Sequence, residues 1–160
     1  MKTVHPIPAF VPENAEILVL GSFPSVKSRE TGFFYGHKQN RFWKVLAAVF
    51  SDREPETISE KKAFLSKNKV ALWDVIGSCE ITGSSDASIK NAEPNDIPSL
   101  VKNTGIKKIF LNGKTSEKYY KKYMASSMEI TAKALPSTSP ANAAFSVGML
   151  IIEEWKEIRR

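Results

Sequence analysis

The chain has 160 residues, a formal net charge of +6, an isoelectric point near 9.4 and one cysteine, Cys79. A single cysteine excludes an internal disulfide, and two histidines are too few for a Cys/His metal site, so we expect no metal. No apolar run reaches eighteen residues. We therefore expect one cytoplasmic domain over residues 1–160, with no membrane contact and with a polyanionic partner.

The first half of the chain predicts two buried strands separated by two helices. Glu16–Gly21 is a short apolar run that ends in glycine, and Val70–Val75 is a similar run, as is typical of buried parallel strands. Apolar residues at helical spacing follow Asn40, which we expect to be the N-cap of that helix. A second helix is predicted over Thr57–Lys67, and the polar segment after Val75 is predicted to be a loop.

The second half continues the alternation of strands and helices. Asn95 is expected to cap a short helix, Ile106–Gly113 is predicted to be a third strand, and a tyrosine-rich helix follows it. The alternating segment MEITAKAL predicts a half-exposed edge strand. A C-terminal helix is predicted to carry one apolar stripe formed by Phe145, Met149, Ile152 and Trp155. This order predicts an α/β protein, a three-layer α/β/α sandwich around a short, mainly parallel four-stranded sheet.

Four irregular segments follow the predicted strands: GSFPS, WDVIGSCEITGSSD, NGK and LPSTSPAN. Ligands of parallel sheets gather at the carboxyl ends of the strands, so we expect these segments to form one crevice. GSFPS lacks the dinucleotide fingerprint G-x-G-x-x-G, and NGKT lacks the upstream glycine of a phosphate-binding P-loop. No G-x-S-x-G motif is present, which argues against a serine hydrolase.

Five segments together resemble the uracil-DNA glycosylase superfamily, most closely its hypoxanthine-DNA (deoxyinosine) glycosylase branch: GSFPS, YGHKQNRFW, LWDV with GSSDASI, FLNG and LPSTSPANA. TGFFYGHKQNRFWKVL is also similar to mismatch-specific uracil/thymine glycosylases. The resemblance covers residues 17–143 or so. It implies a base-excision repair enzyme, without a cofactor, that flips a deaminated base out of double-stranded DNA and hydrolyses its N-glycosidic bond.

The resemblance also implies which residues contact the base. Tyr35 aligns with a stacking aromatic residue, and Asn112 occupies the place of a base-reading residue, although an asparagine before glycine is also a common turn former. Ser22 is expected to contact the base or a phosphate. His37 is expected to contact the departing base or a phosphate, with a structural role equally open. Phe23 stands where many members carry the Asp or Asn that aligns the attacking water.

Because Phe23 cannot align a water, the resemblance assigns the catalytic role to Asn40, the asparagine of the GH..N.FW segment. The same side chain can cap the helix and position a water. An amide is no base near neutral pH, so the glycosidic bond must break largely before water attacks. Such an enzyme favours bases that leave easily, such as hypoxanthine and uracil.

LPSTSPANA resembles the Pro-Ser loop with which the superfamily grips phosphates around the flipped nucleotide. Ser137, Thr138 and Ser139 are expected to offer hydroxyl and backbone N–H groups to phosphate oxygens. Pro140 stiffens the loop, which reduces the entropy lost on binding. Ser25 is expected to add a DNA contact from the other side of the crevice.

Several alternatives stay open from the sequence. Asp74 and Asp86 follow strands and are either acids of the pocket or caps of turns and helices. The protein is either a hypoxanthine glycosylase, a uracil or G:T/G:U mismatch glycosylase, or a catalytically silent protein that binds damaged DNA. A hydrolase of free nucleosides is disfavoured by the positive charge. We expect a monomer that is associated with the nucleoid.

Overall fold

The computed structural model describes residues 1–142, 145–150 and 154–159. The strands of these residues are β1 Lys2–Val4, β2 Ile17–Gly21, β3 Val70–Asp74, β4 Ile76–Glu80, β5 Lys90–Pro94, β6 Lys108–Asn112 and β7 Ala132–Leu135. The α-helices are α1 Val26–Thr31, α2 Phe42–Val49, α3 Ile58–Lys67, α4 Ile97–Lys102, α5 Lys114–Tyr123 and α6 Val147–Met149. None of the helices in these ranges is long and apolar enough to cross a bilayer.

The central sheet has four parallel strands in the order β3-β2-β6-β7. Alternate residues of β2 point to opposite faces: Val19 packs in one apolar core with α2 and α3, and Leu18 packs in a second core with α5. Gly21 pairs with Asp74, and Asn112 pairs with Leu135, so the four strands end at the same edge. The predicted three-layer fold and its parallel four-stranded sheet are confirmed.

A second sheet, antiparallel and in the order β1-β4-β5, is not predicted by the sequence. The prediction of a loop after Val75 is wrong for the first part of that segment, because the chain runs from β3 directly into β4. Ile76 and Cys79 of β4 are almost completely buried. Glycine and serine interrupt the apolar pattern of this strand, and its partner β1 lies more than seventy residues away, so no local pattern reveals the pairing.

The cap of α4 differs from the prediction. Asp96 is the N-cap, and its side chain accepts a hydrogen bond from the Ser99 N–H at 3.1 Å. The expected cap, Asn95, instead donates its side-chain amide to the carbonyl oxygens of Asp74 at 2.9 Å and Ile76 at 3.2 Å. Asn95 therefore holds the bend at which β3 leaves the central sheet and β4 enters the second one.

The predicted C-terminal helix includes residues 151–153, which lie outside the described residues, but the apolar stripe predicted for it is wrong at Met149. α6 has three residues, and Met149 is 47% exposed, so it does not belong to a buried stripe. Trp155 is fully buried at the start of a short 3-10 helix, and its indole N–H donates to the carbonyl oxygen of Pro136 at 2.9 Å. Phe145 is half-buried, and Ile152 lies outside the described residues.

Candidate active site

A crevice of about 510 Å³ lies at the carboxyl ends of the parallel strands. It is lined by every side chain predicted for the site: Ser22, Phe23, Ser25, Tyr35, His37, Asn40, Asn112, Ser137, Thr138, Ser139 and Pro140. The two aspartates that the sequence leaves open, Asp74 and Asp86, line it as well. The fold thus brings together segments that are up to about 120 residues apart in the chain.

A chain of hydrogen bonds joins the end of β6 to the start of α2. The Thr138 N–H donates to Oδ1 of Asn112 at 3.0 Å, and Nδ2 of Asn112 donates to the Thr138 hydroxyl oxygen at 3.0 Å. The Thr138 hydroxyl then donates to Oδ1 of Asn40 at 2.8 Å. The Phe42 N–H donates to the same oxygen at 2.9 Å. We call Asn112, Thr138 and Asn40 the amide chain.

The amide chain fixes which atom of Asn40 faces the crevice. Backbone N–H groups can only donate, so the Phe42 N–H identifies the Asn40 oxygen, and this oxygen accepts two hydrogen bonds. Both of its lone pairs are used. Nδ2 of Asn40 has no hydrogen-bond partner within the ranges that the structure describes, and the residue lines the crevice. Asn40 therefore presents N–H donors to a ligand and no free acceptor.

Asn40 is not the N-cap that the sequence predicts. Arg41 occupies that position, and its side chain makes no capping hydrogen bond to the helix. The bond from the Phe42 N–H to Asn40 spans two residues, as in a turn stabilised by an asparagine side chain. The position of the amide is still fixed, as expected, but a turn and Thr138 fix it.

In the Pro-Ser loop, residues 136–142, the two serines line the crevice and the threonine is buried. Thr138 is fully buried, and its N–H and hydroxyl groups are used in the amide chain, so the expectation that it offers them to phosphate is not met. The Ser137 hydroxyl oxygen accepts from the Ser139 N–H, and the Ser139 hydroxyl oxygen accepts from the Ala141 N–H. Both serines keep a hydroxyl hydrogen with which to donate to a ligand.

Arg41, which the sequence analysis does not single out, ties the Pro-Ser loop to α2. Its guanidinium donates to the carbonyl oxygens of Thr138 at 3.3 Å, of Ser139 and Asn142 at 2.7 Å each, and of Phe145. Its backbone N–H also donates to the Thr138 carbonyl at 3.0 Å. Four carbonyl oxygens that the loop leaves without helix or strand partners are thereby satisfied. Nothing in the linear sequence marks this arginine, because its partners lie about a hundred residues away.

Tyr35 forms an aromatic side of the crevice. It adopts a left-handed backbone conformation with φ of 53°, and its ring stacks on Phe42 with 3.9 Å between the ring centroids. One ring face is therefore covered. The hydroxyl is buried and has no hydrogen-bond partner among the described residues. Burial and then the Asp74 charge raise the pKa of Tyr35, against a smaller opposing effect of Asn112, so the phenol stays protonated at neutral pH.

Residues 22–25 and 84–86 form a second boundary of the crevice, and we call it the Ser-Asp wall. The Ser22 hydroxyl donates to Asp86 at 3.0 Å, and the Val26 N–H donates to the Ser84 hydroxyl at 2.9 Å. Ser25 caps α1 by accepting from the Ser28 N–H. Desolvation inside the crevice raises the pKa of Asp86, although the outer side of this residue is exposed.

The floor of the crevice contains a buried pair that the sequence did not predict. Nε2 of His5 lies 2.7 Å from Oδ2 of Asp74, and both side chains are at most 5% exposed. The Ile7 N–H donates to Nδ1 of His5 at 3.1 Å, so Nδ1 is unprotonated and the proton of a neutral ring is on Nε2. His5 therefore donates to Asp74. The two residues are 69 positions apart, and a lone histidine near the N-terminus gives no local signal of this contact.

The model of the uracil DNA glycosylase superfamily matches residues 8–157. The chain therefore belongs to the uracil DNA glycosylase superfamily. This agrees with the resemblance found in the five sequence segments. It also agrees with a crevice at the carboxyl ends of the strands that is lined by those segments.

Two curated proteins from Methanosarcina are similar to this chain, and both are named hypoxanthine DNA glycosylase. The protein of Methanosarcina acetivorans is 34% identical over 155 residues, which covers 96% of each chain. The protein of Methanosarcina barkeri is 35% identical over 138 residues, which covers 84% of this chain and 85% of the relative. A solution NMR structure of a candidate uracil DNA glycosylase from Methanosarcina acetivorans superposes over the whole length of both chains, with a TM-score of 0.81 and 29% identity.

Proposed function

We propose that this protein is a DNA glycosylase that releases hypoxanthine from double-stranded DNA and leaves an abasic site. The superfamily and the names of the two curated relatives support this activity. The net charge of +6 favours a polyanionic substrate. The observation that carries the mechanism is the Asn40 carboxamide, whose oxygen accepts two hydrogen bonds and whose N–H groups have no partner among the described residues.

Asn40 is the proposed catalytic residue, and it acts as a hydrogen-bond donor. One N–H stabilises the negative charge that the purine acquires as its bond to C1′ breaks, and the other holds the oxygen of the incoming water. Neither group removes a proton from that water, so bond cleavage precedes attack, and the proton that the water releases on attack is taken up by the departed purine anion. Fixed donors of this kind contribute about 10²- to 10³-fold to a rate, because they are oriented before the charge develops.

The base enters between aromatic side chains. Phe23 is 8% exposed and lines the crevice, and the ring face of Tyr35 that Phe42 leaves uncovered is the surface on which a base can stack. Asn112 keeps one N–H that the amide chain does not use, and this donor can reach a carbonyl oxygen of the base. Ser22 remains a candidate contact to the base from the Ser-Asp wall.

The backbone of the flipped nucleotide is held at the crevice mouth. Ser137 and Ser139 donate their hydroxyl groups to phosphate, Pro140 limits the freedom of the loop, and Ser25 contacts the strand from the Ser-Asp wall. His37 is exposed, and its Nδ1 accepts from the Gln39 N–H, which leaves Nε2 for a phosphate oxygen. We propose that the protein acts as a monomer, in association with the nucleoid of the cytoplasm.

The test is single-turnover excision on duplexes that contain hypoxanthine, uracil or thymine opposite each normal base, with enzyme in excess. The proposal predicts abasic product from hypoxanthine at the highest rate and slower release of uracil. Faster release of uracil, or of thymine opposite guanine, would identify the mismatch-type alternative. Tight binding of the hypoxanthine duplex without abasic product would identify a silent damage-binding protein.

A further inference from the structure

We infer that Asp74 distinguishes hypoxanthine from adenine and uracil from cytosine, by accepting the ring N–H that the deaminated base carries and its amino parent lacks. The inference rests on the proposed glycosylase function and assigns specificity within the same crevice. It concerns a carboxylate that the proposed catalytic step, which depends on Asn40, does not use.

Asp74 is held in one orientation by the buried His5. Asp74 is 3% exposed, and its Oδ2 accepts the Nε2–H of His5 at 2.7 Å. The tautomer is set by the backbone, because the Ile7 N–H donates to Nδ1 of the imidazole. The two Asp74 oxygens are therefore not equivalent: Oδ2 is occupied by a histidine that only donates.

The second oxygen of Asp74 is the one that faces a ligand. Oδ1 makes no hydrogen bond to any residue of the described ranges, and Asp74 lines the crevice. Gly21 lies beside it, and a Cβ atom at this glycine would come within 2.5 Å of Oδ1 and 3.1 Å of the Tyr35 hydroxyl. That hydroxyl is buried and also has no hydrogen-bond partner among the described residues. Buried polar groups are normally paired, so an unpaired hydroxyl close to an unpaired carboxylate oxygen is suited to a polar ligand.

The position of Asp74 in the sheet determines which edge of the base it contacts, namely the edge farthest from the sugar. Asp74 ends β3 and Asn112 ends β6, with β2 between them, so their backbones are two strand spacings, about 10 Å, apart. The amide chain that leads to Asn40 begins at Asn112. A purine whose glycosidic bond lies near Asn40 points its N1 edge away from that bond, across the crevice. Asp74 therefore meets the ring nitrogen at N1.

The chemistry of this contact separates hypoxanthine from adenine and uracil from cytosine. Hypoxanthine carries a hydrogen on N1 and uracil carries one on N3, so each can donate to Oδ1. Adenine at N1 and cytosine at N3 offer a lone pair, which a carboxylate repels. A site built to bond a substrate N–H disfavours the analogue that lacks it, because its own buried polar group is then left unpaired. A single side chain, Asp74, thus accounts for both the acceptance of hypoxanthine and the rejection of adenine.

The test is Asp74→Asn, for which the structure dictates the orientation of the new amide. His5 donates through Nε2, so the amide oxygen of the variant must face His5 and its NH₂ group must face the crevice. The variant then offers a donor where the wild type offers an acceptor. Affinity is measured on duplexes whose 2′-fluoro-arabino sugar prevents cleavage, with hypoxanthine or adenine as the base.

The wild type is expected to prefer the hypoxanthine duplex, and Asp74→Asn is expected to reduce that preference by about 10- to 100-fold, the effect of a lost hydrogen bond to a charged group. Asp96→Asn is the matched control, since Asp96 lies outside the crevice and asparagine caps helices equally well. An unchanged preference in a folded Asp74→Asn protein would overturn the inference. So would equal slowing of excision for every base, which would place Asp74 in the chemistry.

A second measurement needs no variant and stays informative if Asp74→Asn does not fold. Methylation of hypoxanthine at N1 removes the hydrogen that Asp74 accepts, and the wild type is expected to release this base at least about tenfold more slowly than hypoxanthine. Equal release would overturn the inference. If the wild type released no hypoxanthine at all, the proposed function itself would fail, which is a different result from a failure of Asp74 to discriminate.

Discussion

The Pro-Ser loop and the Ser-Asp wall face the same crevice, but they are attached to the protein in different ways. Arg41 holds the Pro-Ser loop through three of its backbone carbonyls and also bonds the carbonyl of Phe145. The amide chain joins the buried Thr138 to both Asn40 and Asn112. The Ser-Asp wall is joined to β4 by the bond from the Ile76 N–H to the Ser22 carbonyl at 3.0 Å, but its two segments are joined to each other by side-chain contacts at the surface, such as the bond from Ser22 to Asp86. The Pro-Ser loop is held by a buried side chain and by an arginine, whereas the two segments of the Ser-Asp wall contact each other through exposed groups.

This difference agrees with the role that each boundary has in the proposed reaction. Donors that stabilise a developing charge are effective when they need no rearrangement, and Asn40 belongs to the fixed boundary. A boundary past which a flipped nucleotide enters the crevice benefits from being able to move. We therefore expect substitutions in the Pro-Ser loop and its supports to be costly, and substitutions in the Ser-Asp wall to be mild.

The largest effect on stability is expected from Arg41→Ala. Hydrogen bonds to a charged group contribute about 1.5–3 kcal/mol each, and the Arg41 guanidinium makes four. Without it, the carbonyls of Asn142 and Phe145 keep no donor among the described residues. We expect a loss of more than about 3 kcal/mol in the free energy of unfolding and a Tm lower by roughly 10 °C. Chemical and thermal denaturation measure it.

Arg29→Ala is the matched control on the Ser-Asp wall. Arg29 also donates to two backbone carbonyls, those of Pro24 at 3.2 Å and Gly83 at 2.7 Å, but the second bond is exposed to solvent. We expect Arg29→Ala to lower the free energy of unfolding by about 1 kcal/mol or less. If the two arginine variants lose the same free energy of unfolding, the claimed difference between the Pro-Ser loop and the Ser-Asp wall is wrong.

A smaller effect is expected from Thr138→Val, which keeps the shape of the side chain and removes the hydroxyl from the amide chain. Asn40 loses a donor to its oxygen, and Asn112 loses the acceptor of its N–H. We expect a loss of about 1–3 kcal/mol in stability. We also expect excision about tenfold slower, because a misplaced donor stabilises the departing base less well. Thr138→Ser retains the hydroxyl and should stay close to the wild type in both measurements.

The smallest effect is expected from Asp86→Asn, and its sign depends on pH. Desolvation raises the pKa of the Asp86 carboxyl above its ordinary value of 3.8, so the folded state holds this proton more tightly than the unfolded state. Wild-type stability therefore decreases as the pH rises through the window above 3.8, and the variant lacks this decrease. Urea denaturation at a series of pH values should show the variant gaining relative stability toward neutral pH. A constant difference would contradict the raised pKa.

The sequence predicts those parts of the fold that local pattern determines. The helix over Thr57–Lys67, the buried strands and the segments at their carboxyl ends are predicted because each signal lies within a few residues. The five resemblance segments also identify side chains that line the crevice. Contacts made at long range are not readable: neither the pairing of β1 with β4 nor the bond between His5 and Asp74 has a local signature.

The orientation of a side chain is the second thing that a sequence does not report. Asn40 can be picked out as the catalytic candidate, but only its hydrogen bonds to Phe42 and Thr138 reveal that its oxygen is occupied. The position of Asp74, which the sequence leaves open as a pocket acid or a cap, is likewise known only from the structure, which places it in the crevice. Both findings arise from distant segments that pack together, which is where propensity and spacing carry no information.

The most direct measurement of the central claim compares Asn40→Asp with Asn40→Ala in single-turnover release of hypoxanthine. Aspartate retains the oxygen that accepts from Phe42 and Thr138, and replaces the N–H donors by a second oxygen. If Asn40 works through its N–H groups, both variants lose about 100-fold or more and aspartate is no better than alanine. An aspartate variant that keeps or exceeds the wild-type rate would show that the enzyme needs an acceptor or a base at this position.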